Sequence, residues 1–205
     1  MSTPIIAALC RCLRSLTSAL LAPVAIALAS PAANAATDVY APIAMEAGTW
    51  DAEITFYENG QPSGQARGVQ VNTLLANGHW ITNDFRIPAT DKFPAYQGHG
   101  VWGYDPVAKT YVNTWVDTND QAVRTDYGFW YEKEQTMAWS SKHNDGQGHF
   151  VDYRMLEEFK PDGVRIFSFY QLSMVKATLI PLIKIVFTRR PDGAEAKPAD
   201  KAQQQ

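Results

Sequence analysis

The chain has 205 residues, 46% of them hydrophobic, and carries a formal net charge of −3. That length fits one domain with a sizeable core, and the lack of a basic excess argues against a nucleic-acid partner, whose phosphates would have to be neutralised. The 6 Trp, 9 Tyr and 9 Phe all lie after residue 39, a density expected of an all-β fold that uses wide, flat side chains.

The first 35 residues read as a signal peptide. Arg11 and Arg14 supply the positive flank, residues 16–30 the apolar stretch, and Ala33-Asn34-Ala35 the small-x-small cleavage pattern. The apolar run is too short for a spanning helix. Cleavage is expected after Ala35, giving a periplasmic or secreted protein. The leader takes both cysteines, Cys10 and Cys12, with it, so the mature protein is expected to hold no disulfide, thiol nucleophile or Cys metal ligand.

From residue 48 the text consists of short alternating runs. In 48–57, Trp50, Ala52, Ile54 and Phe56 alternate with Asp51, Glu53 and Thr55, the period of a half-buried strand. Further strands are expected at 65–73, 79–87, 96–104, 110–117, 122–130, 136–142, 149–159, 164–174 and 182–189. Asp105-Pro106, Asn119-Asp120, Asn144-Asp145-Gly146 and Pro161-Asp162-Gly163 punctuate them. About ten strands joined by short turns, with no helical stretch of ten residues, favour one antiparallel up-and-down sheet, and closure removes its edges. The expected layout is leader 1–35, N-terminal segment 36–46, barrel 47–190 and disordered tail 191–205. Residues 172–187 are unusually apolar. They read as a hairpin of the barrel, or as an exposed tip around 177–181 that touches a membrane or partner.

Gly48-Thr49-Trp50 resembles the Gly-x-Trp opening of calycins, the superfamily of lipocalins and fatty-acid-binding proteins. The resemblance implies a calycin-like barrel closed by a basic residue over that Trp, here Arg189, through a cation–π contact. Strand parity places Ile185, Phe187 and Arg189 on one face and Arg190 on the other. Residues 47–190 more closely resemble the bacterial family known as domain of unknown function 1579. The matching pieces are Gly48-Thr49-Trp50, 75–80, Gly103-Tyr104-Asp105 within 100–105, Tyr111-x-x-x-Trp115-x-Asp117, and Phe187-Thr188-Arg189. Gly78-His79 stands where the family usually has Gly-Arg, and the last hairpin is more apolar than is common. The resemblance implies a fold and no reaction.

His79, His99, His143 and His149 lack the spacing of a metal site, so no metal is expected. One of them could serve as an axial haem ligand, as in the nitrobindins, barrels of similar architecture. Asp105 and Asp117 read as turn formers, and no phosphate loop or Gly-x-Ser-x-Gly elbow occurs. The remaining set is aromatic: Trp80, Trp102, Tyr104, Trp115, Tyr127, Trp139 and Tyr153, with Asn113 and Arg154 as orienting polar contacts. Some of these pack the core, and the others line a lumen suited to an amphiphilic or aromatic ligand. The expected function is binding of a small apolar or amphiphilic molecule, with no cofactor. The alternatives are haem binding, or an isomerase, cyclase or lyase that uses His79 or Asp84 with a lumenal Tyr.

Overall fold

The computed structural model describes residues 38–144, 149–173 and 175–191. The expected signal peptide and all of the expected tail except Pro191 lie outside the described residues. A short helix α1 (Ala41–Glu46) precedes ten strands: β1 (Gly48–Glu58), β2 (Gln61–Leu74), β3 (Trp80–Ile87), β4 (Tyr96–Asp105), β5 (Thr110–Asp117), β6 (Arg124–Tyr131), β7 (Thr136–Asn144), β8 (Phe150–Phe159), β9 (Val164–Ser173) and β10 (Thr178–Arg189). Each strand pairs antiparallel with the next, and β10 returns to β1, so the sheet closes into an up-and-down barrel without a free edge. The joint between first and last strand pairs Trp50 with Arg189 and Ile54 with Ile185.

Alternation decides which residues enter the barrel. Trp50, Ala52 and Ile54 of β1, Phe85 and Ile87 of β3, and Ile185 and Phe187 of β10 form one buried cluster. Ile81, Trp102, Tyr111, Met137, Trp139 and Met155 form a second, around Ile43 of α1, which is fully buried. The helix therefore plugs the end where β1 begins, and the Tyr111 hydroxyl fastens the segment before it by donating to the Val39 carbonyl at 2.8 Å. The opposite end is rimmed by the β1–β2, β3–β4, β5–β6, β7–β8 and β9–β10 connections.

Two strands run longer than the alternation alone suggests. β2 begins at Gln61 rather than at 65, and β10 at Thr178 rather than at 182. In β10 the register shifts between Pro181 and Ile183, so the proline sits at a bulge, where its missing N–H breaks no regular ladder bond. The four residues of strand before Leu182 lie beyond that shift, where the alternation is interrupted.

Gly48 and Gly100 explain two of the motif glycines. Gly48 has φ +124°, and a Cβ there would meet the Arg189 guanidinium at 3.0 Å. The Gly-x-Trp opening thus leaves room for the basic residue that covers Trp50. A Cβ on Gly100 would lie 2.6 Å from the Trp115 ring, which lies across the glycine path of β4. Replacing Gly100 with Ala is expected to push Trp115 off β4 and to destabilise the barrel by about 1–3 kcal/mol, measured by urea unfolding, with a shift in Trp emission.

Candidate ligand-binding lumen

The floor of the lumen is a buried polar knot. The Glu46 backbone carbonyl, at the end of α1, accepts from Trp50 Nε1 at 2.9 Å and Asn72 Nδ2 at 3.0 Å. Its carboxylate accepts from Trp102 Nε1 at 2.5 Å, from Asn83 Nδ2 at 3.2 Å and from Arg165. Arg165, 1% exposed, also donates to Glu157 Oε1 at 2.6 Å and to Gln70 Oε1. Its guanidinium lies over the rings of Trp50 (4.8 Å) and Phe187 (4.1 Å). Arg189 covers Trp50 as well, at 4.4 Å, and donates to the carbonyls of Ala47 and Met45. Two cations from β9 and β10 thus hold the first strand and the plug.

One guanidinium serves two carboxyl groups. Burial, and then the neighbouring Glu46 charge, pushes the Glu157 carboxyl up to about 8, against the opposing pull of Arg165. The raised Glu157 carboxyl favours its protonated form at neutral pH, and the two acids share one cation.

Between this floor and the mouth lies a cavity of about 330 Å³, at the lower end of the range for small-molecule sites. Its walls are apolar: Ile54, Phe56, Ala66, Phe85, Ile87, Phe167, Ile183, Ile185 and Phe187. Polar groups gather near the mouth. Trp115 Nε1 donates to Asp117 Oδ2 at 3.1 Å and to the Tyr96 hydroxyl at 3.2 Å, and Tyr96 donates to the same Asp117 oxygen at 3.2 Å. Burial and the Asp117 charge push the Tyr96 phenol up, so it remains a donor. Beside them Arg124 Nε donates to Asp126 Oδ1 at 2.9 Å and Asn113 Nδ2 to Asp126 Oδ2 at 2.8 Å. Among the described residues Asn113 Oδ1 has no partner.

Of the residues singled out in the sequence, Trp102, Asn113, Trp115 and Trp139 line the cavity. Trp80 does not. It flanks the inward Ile81, so it faces outward, with its ring over Gly103. Tyr104 packs at the closed end against Tyr40 and Tyr111. Tyr127 is on the outer face, half exposed, and Arg154 also faces out, donating to the Tyr153 carbonyl at 2.7 Å. Tyr153 packs on Phe169 near the mouth, with ring centroids 4.9 Å apart, without lining the cavity.

The expected histidine chemistry needs correction. His79 is exposed at the closed end, stacked on Tyr40 at 4.1 Å. Asp84 lies between the inward Asn83 and Phe85, so it faces out, 3.0 Å from His99. His143 contacts Asp120 at 2.8 Å, and His149 is exposed. Among the described residues no histidine lines the cavity, and His79 and Asp84 face away from it.

The sequence reading missed Glu46, Gln70, Asn83, Tyr96, Arg124, Asp126, Glu157 and Arg165, all of which line the cavity. A signal for most of them was present. Asn83 lies between Ile81 and Phe85, Glu157 between Met155 and Phe159, and Arg165 two residues before Phe167. A polar residue at an inward position of an apolar alternation must find buried partners or stay unpaired.

Two outcomes follow from the knot. Arg165→Met removes the cation and leaves its carboxyl partners uncompensated, and should destabilise the protein by about 3–5 kcal/mol in urea unfolding. Adding Glu46→Gln and Glu157→Gln should recover part of the loss. Glu157 binds its proton more tightly folded (about 8) than at its ordinary 4.5. Its stabilisation is therefore complete below pH 4.5 and is lost progressively as pH rises to 8. Glu157→Gln should flatten that part of the stability–pH curve.

Comparison with known proteins adds family but no activity. No curated protein matches the sequence. Among solved structures, a redesigned β-barrel superposes with a TM-score of 0.39 and 9% identity, over 73% of this chain and 96% of its own. The profile of the family described as "Protein of unknown function (DUF1579)" matches residues 39–189, from the segment that leads into the plug helix to the arginine that covers Trp50. The chain belongs to the DUF1579 family, as a closed ten-stranded β-barrel.

Proposed function

We propose that this protein binds one small apolar or amphiphilic molecule in the open half of its barrel. The observation that carries the reading is the cavity itself: about 330 Å³ with mostly apolar walls, left between the plug helix and the mouth. Packed interiors rarely keep such a void, because its walls forgo dispersion contacts. The acids of the knot beneath are already paired with Arg165, so they are engaged with one another and not with an ionised head group. The ligand places its apolar body among Ile54, Phe85, Ile185 and Phe187. Its polar end, uncharged, faces the Asn113 and Tyr96 level. An exported location belongs to the same proposal and rests on the leader-like residues 1–35.

A second reading is favoured by one observation. Glu157 is a protonated acid that lines the cavity beside a carboxylate, the pairing a proton-transfer isomerase or lyase uses on a bound hydrophobic substrate. In that reading Glu157 replaces His79 and Asp84. An apolar metabolite extract altered by the wild type and left unaltered by Glu157→Gln would support it.

Trp102, Trp115 and Trp139 line the cavity and report its occupation. Titration with a fluorescent fatty-alcohol analogue should quench Trp emission saturably at about one molecule per chain. Ala66→Phe, which fills the lumen from β2, should weaken binding about tenfold or more. Quenching that is non-saturable, or equal in Ala66→Phe, would sink the binding reading.

A further inference from the structure

We infer that the lumen takes a flat aromatic molecule, a small fused ring system that stacks on the face of the Trp115 indole and donates a hydrogen bond from its edge. The inference rests on the lumenal-binding reading and narrows its ligand class.

Trp115 points inward from β5, and its ring lies along the neighbouring strand β4. A Cβ on Gly98 would come within 2.2 Å of Trp115 Cζ2, and one on Gly100 within 2.6 Å of Cε3. The benzene half of the indole therefore spans both glycines, with one face against the strand backbone. Its edge is pinned as well, since Nε1 donates to Asp117 Oδ2 at 3.1 Å and to the Tyr96 hydroxyl at 3.2 Å. Turning the ring would break both bonds. The side chain thus offers the lumen a fixed plane.

That plane is uncovered. Among the described residues no aromatic ring or cation stacks on Trp115. The other inward tryptophans at the closed end are covered. Trp50 lies under two guanidinium groups. Trp139 lies flat on Gly128 much as Trp115 lies on β4, but Trp102 stands perpendicular to it at 5.5 Å. Trp102 and Trp139 are buried, whereas Trp115 faces inward and is only half-buried. Its remaining surface belongs to the cavity. A ring laid there gains dispersion and quadrupole contact in the place that Trp102 fills over Trp139.

The surroundings select the ring. Asp117 already accepts from Trp115, Tyr96 and the backbone N–H groups of Asn119 and Asp120, and Asp126 accepts from Arg124 and Asn113. A sugar stacked on the same plane would leave most of its hydroxyls unpaired among apolar walls. A flexible chain gains little from a rigid plane and loses rotational freedom on entry, a cost that a fused ring does not carry. The volume of about 330 Å³ keeps the ring system small. Asn113 sets the edge group. It lies two residues from Trp115 on the same inward face of β5, hence about 7 Å along the strand. Asn113 lines the cavity, and among the described residues its buried Oδ1 lacks a donor. A hydroxyl or N–H on the edge of the ring supplies one.

Calorimetric titration of the purified protein with naphthol, with decalol and with naphthyl methyl ether tests this. Decalol keeps the carbon skeleton and hydroxyl of naphthol but is neither flat nor aromatic. The ether keeps the flat ring and loses the donor. The wild type should bind naphthol about three- to tenfold more tightly than decalol, at one molecule per chain. Naphthol should also exceed the ether by about threefold or more. Trp115→Leu should erase the preference for naphthol over decalol, and Trp115→Phe, which keeps a ring on β4, should retain part of it. Thermal unfolding of each variant separates loss of fold from loss of stacking, and the wild-type comparison needs no variant. Equal affinity for naphthol and decalol in the wild type overturns the inference, as does a preference that survives in folded Trp115→Leu. An ether that binds as tightly as naphthol overturns the edge donor. Saturable binding of decalol and the fatty-alcohol analogue, with naphthol no tighter, leaves the lumenal-binding reading in place and removes the stacking. If none of the probes binds saturably, both fall.

Discussion

One buried guanidinium connects most of what matters in this barrel. Arg165 reaches from β9 to the end of α1 through Glu46, to β2 through Gln70 and to β8 through Glu157, and it lies over Trp50 of β1 and Phe187 of β10. Taking a charge out of water is costly unless it is paired and hydrogen-bonded, and the residues around Arg165 serve its two terminal nitrogens, while among the described residues its Nε has no partner. Gln70, Asn72, Asn83 and Glu157 therefore occupy inward positions that would otherwise be apolar. The same requirement holds the six-residue helix in the barrel end, since so short a helix has little stability of its own.

The plug divides the interior into unlike halves. Near α1 the space is filled by Ile43, Trp102, Tyr111, Met137, Trp139 and Met155. Beyond the knot, among the described residues, no second helix enters, and the walls of Ile54, Phe85, Ile185 and Phe187 stand around unfilled volume. The glycines of β4 contribute by letting Trp115 lie along the wall. The open half thus joins an apolar cavity to a polar collar of Tyr96, Asp117, Arg124 and Asp126. The two levels differ in polarity, which suits a molecule bound in one orientation.

Period-two alternation and turn residues made the strands legible, because an inward–outward pattern that reverses at Asp-Pro, Asn-Gly or Pro-Asp-Gly has few other readings. The starts of β2 and β10 were less so, since both lie beyond register shifts, next to Pro62 and Pro181, where the regular alternation is interrupted. Site residues were legible only where side chain and parity agreed. Trp102, Trp115 and Asn113 face inward, whereas Trp80, Tyr127 and Arg154 lie one residue out of phase and face solvent or neighbouring strands. A one-residue offset moves a side chain to the opposite face of the sheet, and residue type cannot reveal it.

By itself the sequence determined an all-β chain of about ten strands, because local alternation and turn chemistry act over a few residues; the contact of Trp50 with Arg189 was what the resemblance to calycins implied. Only the tertiary structure decided which face of each strand is inside, that Glu46 in the short lead-in helix meets an arginine 119 residues away, and that half of the barrel is left open. Those outcomes depend on ring closure and on partners for one buried charge, and both are set by contacts distant along the chain.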